Sequence, residues 1–127
     1  MVAKAIGRAK ETRFVGAKRK MKKLRLFVEY GCYPVWSYDE EGMLIEDDFP
    51  EDDKPTERLE ELKILIAKEF ASTFINNEHE FSPKGFDSKE EAKRFISHLD
   101  EFRALVKERY PDYEIVDDFY DFSDEAK

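Results

Sequence analysis

From Leu24 to Tyr30, apolar and polar residues alternate: Leu24, Leu26, Val28 and Tyr30 fall on one face, Arg25, Phe27 and Glu29 on the other. That period of two predicts a half-buried strand closed by Gly31. Pro34–Tyr38 and Met43–Glu46 flank the turn-rich Asp39-Glu40-Glu41-Gly42, which predicts a hairpin with Gly42 free to take a positive φ. Three antiparallel strands are thus expected between residues 24 and 46. An acidic loop with a proline near each end then runs from Glu46 to Pro55.

The period next changes to that of a helix. Leu59, Leu62, Ile66, Phe70 and Phe74 recur at spacings of three and four, with Leu65 and Ala67 beside the stripe. Thr56 is the expected N-cap, Glu57 suits the positive end of the helix dipole, and Asn76-Asn77 is the expected break. Glu78–Ser82 reads as a short strand closed by Pro83-Lys84-Gly85. Ser88-Lys89-Glu90-Glu91 fits a capping box. Ala92, Phe95, Ile96, Leu99, Phe102, Val106 and Tyr110 then line a second helix that Pro111 stops. Tyr113-Glu114-Ile115 predicts a last strand, and residues 117–122 alternate acids with aromatics. The order β-β-β-α-β-α-(β) predicts an α+β fold, an antiparallel sheet of three to five strands with two amphipathic helices packed on one face.

A length of 127 residues suits one domain, and an aromatic content of 14% gives it material for a core. No run approaches the roughly 18 apolar residues of a membrane span, so no membrane partner is expected. The single Cys32 excludes an internal disulfide framework and a zinc site of several thiolates, which favours a reducing, cytoplasmic setting.

Charge divides the chain more sharply than hydropathy does. Residues 1–25 hold ten Lys/Arg against one acid, Glu11, while the other residues hold 12 bases against 29 acids. Residues 1–21 read as a flexible basic arm or extension, and residues 22–127 as one acidic domain. Lys18, Arg19, Lys20, Lys22 and Lys23 could lie along phosphates, with affinity falling steeply in salt, which makes an RNA or ribosome partner one reading of residues 1–25. In the other, Met21 is the natural first residue and the stretch before it is an upstream extension.

No catalytic residue emerges. Cys32, His79 and His98 share no spacing that would join a nucleophile to a base. On a strand, Glu78 and Glu80 would face away from His79 and could not share an ion with it. The acids of Asp47–Asp53 lack the glycine and the terminal bidentate Glu of an EF-hand loop. Five glycines form no phosphate-binding loop. Neither a cofactor nor a metal is expected.

What remains is a surface. Tyr30, Tyr33, Trp36 and Tyr38 gather around the first strand connection beside Asp39, Glu40 and Glu41, and Glu46, Asp47, Asp48, Glu51, Asp52 and Asp53 follow. Aromatics ringed by acids suit a protein interface, the rings as anchors and the charges to steer encounter.

The run Tyr30-Gly31-Cys32-Tyr33-Pro34-Val35-Trp36 leads to Leu44-Ile45-Glu46-Asp47-Asp48-Phe49-Pro50, followed by Phe74-Ile75-Asn76-Asn77 and by Lys84-Gly85-Phe86 before the capped helix. Over residues 22–110 this resembles a group of small acidic bacterial proteins similar to the immunity proteins that neutralise polymorphic toxins. The resemblance implies a non-enzymatic inhibitor whose acidic face docks on a basic partner such as a nuclease toxin. Trp36 and Tyr38 are the expected anchors, with Glu40, Glu41, Glu46, Asp47, Asp48, Glu51, Asp52 and Asp53 as the partner-binding acids. It implies no catalytic residue.

Overall fold

A computed structural model describes residues 21–127. The positions Lys18, Arg19 and Lys20 of the basic arm lie outside the described residues. Strands β1 (Lys23–Leu26), β2 (Val35–Tyr38) and β3 (Leu44–Glu46) precede helix α1 (Glu57–Ala71). The hairpin β4 (Phe74–Asn76) and β5 (Phe81–Pro83), helix α2 (Lys89–Arg109), strand β6 (Glu114–Asp117) and a 3-10 turn (Ser123–Ala126) complete the chain. The fold is α+β, in the order read from the sequence.

The main sheet has the order β3-β2-β1-β6. The β1–β2 and β2–β3 pairs are antiparallel, as the hairpin signals require, and Gly42 turns the second hairpin with φ +85°. The β6 strand pairs parallel with β1, which makes the sheet mixed rather than antiparallel throughout. A parallel neighbour needs a long crossover, and α2 supplies it by carrying the chain back along the sheet before Pro111 releases it into β6.

Register decides which side chains are buried. Leu24 pairs with Ser37 and Leu26 with Val35, and all four are buried. Leu59, Leu62 and Ile66 of α1 and Phe95, Leu99, Phe102 and Val106 of α2 meet that face, so both helices cover the same side of the sheet. Phe49 enters this core from the acidic loop and stacks on Tyr110 with ring centroids 5.7 Å apart. The Tyr110 hydroxyl in turn donates to the Asp53 carbonyl at 2.8 Å, pinning the far end of the loop.

Both helices begin where their caps are encoded. Thr56 Oγ1 accepts from the Leu59 amide at 3.2 Å, and Ser88 Oγ accepts from the Glu91 amide at 3.1 Å. Helix α1 ends at Ala71, before the expected break at Asn76-Asn77, and Phe74 opens a strand instead of extending the stripe. The Ser72 and Thr73 hydroxyls donate to the Glu69 and Phe70 carbonyls, both at 2.6 Å, satisfying the last turn from within. The Thr73 carbonyl then accepts from the Lys84 and Gly85 amides, which fastens the β4–β5 hairpin to the helix end. Residues 78–80 form the tip of this hairpin, so the short strand begins at Phe81 rather than Glu78.

Candidate interaction surface

With both helices on one side, the opposite face of the sheet carries its own composition. Pairing places Lys23 beside Tyr38 and Arg25 beside Trp36 on that face, where Phe27 joins them. Phe27 and Trp36 meet edge to face at 5.9 Å, the Arg25 guanidinium lies 4.2 Å from the Phe27 ring centroid, and Lys23 Nζ sits 4.5 Å over Tyr38. The rings are half-buried, shielded by one another and by cations lying on their faces. Asp118 accepts from Arg25 Nε at 2.7 Å and raises the guanidinium pKa above its ordinary value, so this cation is fixed and balanced. Trp36 Nε1 donates to the Tyr33 carbonyl at 3.2 Å, which holds the indole in one orientation.

Acids and an apolar strand border these rings. Glu40 and Glu41 are exposed in the β2–β3 turn, which Asp39 builds by accepting from the Glu41 and Met43 amides, each at 2.9 Å. Glu114 pairs with Lys23 at the other side. Leu44 is the partner of Tyr38 and extends the face to the sheet edge, where Met43, Leu44 and Ile45 are 66%, 51% and 59% exposed.

The acidic loop is less uniform than its sequence. Asp47 Oδ2 accepts from the Tyr33 amide at 3.2 Å. Asp48 Oδ1 accepts from Lys63 Nζ at 2.8 Å, and its carbonyl accepts from the buried Ser37 hydroxyl. Asp53 Oδ1 accepts from Arg109 at 2.7 Å. These three carboxylates hold the loop against the body. Glu51 and Asp52 face solvent, with Lys22 Nζ 3.9 Å from Asp52. Glu46 lines a cleft of about 280 Å³ together with Asp48, Glu51, Glu60 and Lys63. Among the candidate acids, Asp47, Asp48 and Asp53 are therefore half-buried supports of the loop, and Glu40, Glu41, Glu51 and Asp52 are exposed.

Lys63 had no signal in the hydrophobic pattern. It is only 4% exposed within the buried face of α1, and its ammonium reaches Asp48 and Glu60 while lying 4.5 Å from the Tyr33 ring centroid. Burial alone would lower its pKa. The two carboxylates outweigh that cost and leave it raised.

The remaining chemistry-bearing residues do not converge on a reacting centre. His98 Nδ1 lies 2.8 Å from Glu69 Oε1 across the two helices, and His79 Nε2 lies 3.3 Å from Glu78. The Cys32 thiol donates to Glu29 at 3.6 Å, and burial, with Asp47 and Glu29 nearby, pushes its pKa up and away from thiolate chemistry. Among the described residues no three His, Cys, Asp or Glu side chains group as a metal site, and no helix is long and apolar enough to cross a membrane. The aromatic C-terminal run divides: Phe119 and Phe122 pack on the core, while Tyr120 stays exposed against Phe122. The outer face thus combines an oriented indole, cations lying on its rings and exposed acids in the adjoining turn. No known protein family matches the chain, and no curated protein shows detectable similarity to it.

Proposed function

We propose that this is a non-enzymatic binding protein that docks an acid-bordered aromatic face on a basic partner. Its concrete form is an immunity-like inhibitor acting in the cytoplasm on a nuclease-type toxin. The observation that carries the reading is the outer sheet face, where Trp36 and Tyr38 lie on the side away from both helices and the turn with the exposed Glu40 and Glu41 follows directly after Tyr38. Half-buried aromatics held by neighbours lose little entropy when a partner covers them, and nearby exposed charge accelerates encounter. A nuclease cleft shaped for phosphates presents the complementary charge.

Three of the acids first grouped with the interface, Asp47, Asp48 and Asp53, act in this reading as supports of the loop. Glu40, Glu41, Glu51 and Asp52 supply the steering charge. The test is affinity capture with the full-length chain at low and high salt, beside the Trp36→Ala/Tyr38→Ala variant. Recovery of one basic protein that is lost in salt and lost in the variant supports the reading. Recovery of RNA or ribosomes that depends on residues 1–20 replaces it with the basic arm as the functional part.

A further inference from the structure

The two edges of the main sheet differ in kind. Strand β6 ends one side with Glu114 and Asp117, and a charged edge resists further pairing. Strand β3 forms the other side, and its exposed Leu44 and Ile45 follow the exposed Met43 at the end of the turn. Among the described residues no strand pairs with its outer side.

The backbone of β3 is set for pairing. The Asp39 amide donates to the Met43 carbonyl at 2.9 Å, so Asp39 and Met43 face each other through hydrogen bonds. Antiparallel ladders alternate, and the next pair, Tyr38 and Leu44, is therefore the non-bonded kind, with the Leu44 amide and carbonyl turned outward to the open edge. One residue on, the register shifts: Ile45 is the extra residue of a bulge, and pairing with β2 resumes with Glu46 opposite Ser37.

We infer that the β3 edge receives an extended segment of the partner by strand addition, with apolar residues on Leu44 and Ile45 and basic residues at its ends. The inference rests on the basic-partner reading above and names how that partner is held. Charge selects the occupant. Glu40 and Glu41 precede the apolar run and Glu46 follows it. A second copy pairing antiparallel would bring the Glu40–Glu41 end of one chain against the Glu46 end of the other. Like charges at both ends disfavour that pairing, and a basic strand reverses the sign at each end.

The probe is a synthetic peptide with a Val-rich centre and Lys at both ends, compared with its fully N-methylated form, which keeps every charge and side chain and has no amide donors. Binding is measured to the full-length chain, to Leu44→Pro, to Leu44→Thr and to the double variant Glu40→Lys/Glu41→Lys. Because the Leu44 amide points away from β2, proline there removes the edge donor and spares the β2–β3 ladder. The expected result is binding by the parent peptide, weaker by about tenfold or more for the methylated form and for Leu44→Pro, and retained by Leu44→Thr. Slowed exchange of the Leu44 amide on binding gives the same answer without a variant. Equal binding of both peptides, an unchanged Leu44 amide, or no binding of the parent peptide overturns strand addition. Equal binding of both peptides that is abolished in Glu40→Lys/Glu41→Lys leaves the acidic-face reading standing alone. Methylation-sensitive binding that ignores those two charges contradicts the acidic-face reading and keeps the edge.

Discussion

Lys63 Nζ lies 2.8 Å from Asp48 Oδ1, and it reaches that carboxylate from within the apolar face of α1. Asp48 also accepts from the Phe49 amide at 2.7 Å. One carboxylate thus orients the residue that inserts Phe49 into the core, and the buried cation holds the carboxylate in place. Lys63→Ala leaves Asp48 and Glu60 facing each other without their counter-charge. Removing one partner of a fully buried pair costs about 3–5 kcal/mol, and water reaching Asp48 reduces this to about 2 kcal/mol here. Urea denaturation reads the loss. A midpoint unchanged from wild type would show that the pair is idle.

Truncation costs far more in the core between helices and sheet than on the outer sheet face. Phe95 is fully buried against Phe70, Phe86 and Phe122, and Phe95→Ala should cost about 3–5 kcal/mol. Trp36→Ala removes an edge-to-face contact with Phe27 from the outer face and should cost about 1 kcal/mol. The comparison uses the same denaturation curves. A Trp36 variant as unstable as the Phe95 variant would make the outer face part of the core.

Alkaline pH tests the seam between the acidic loop and the end of α2. Burial, followed by the Asp53 carboxylate, raises the Tyr113 pKa from 10.0 to about 12. A folded pKa above the unfolded one means that stability is fully present below pH 10 and falls as pH rises toward 12. Phenolate absorbance should show a tyrosine ionising near pH 12 that disappears in Tyr113→Phe. That variant should also lose less stability than wild type across the interval. A tyrosine missing from the variant near pH 10 rather than near pH 12 would place Tyr113 in solvent.

The exposed acids should act on rate. Glu40→Lys/Glu41→Lys leaves the aromatics in place and reverses the charge beside them, so association with a basic partner should slow by about tenfold at low salt and converge with wild type at high salt. Stopped-flow association at several ionic strengths measures this. A change confined to dissociation would make these acids direct contacts instead.

The elements legible in the sequence were those with a local cause. Thr56 and Ser88 announce helix starts, Gly42 a turn, and the alternation from Leu24 to Leu26 a strand with one buried face. Where local and tertiary causes compete, the pattern misleads. Phe74 continues the helical spacing of α1, yet the Ser72 and Thr73 hydroxyls close that helix and Phe74 joins Tyr30 and Phe81 in an aromatic cluster, 5.0 and 5.5 Å from them. The parallel pairing of β6 depends on where α2 returns the chain, which no spacing in β6 itself encodes. The acidic run shows the same limit at the candidate surface. Composition marks Asp47, Asp48, Glu51, Asp52 and Asp53 alike, and only their partners distinguish Asp47, Asp48 and Asp53, bound by Tyr33, Lys63 and Arg109, from the acids that face water.

Docking of a basic protein on the acid-bordered aromatic face, as proposed above, requires Trp36 and Tyr38. The most direct measurement is capture from the source cell by the full-length chain and by Trp36→Ala/Tyr38→Ala, each at low and high salt, with the captured material identified. One basic protein is expected, held by wild type at low salt, released at high salt, and not retained by the variant. Equal capture by both chains, or capture of RNA that requires residues 1–20, would contradict it.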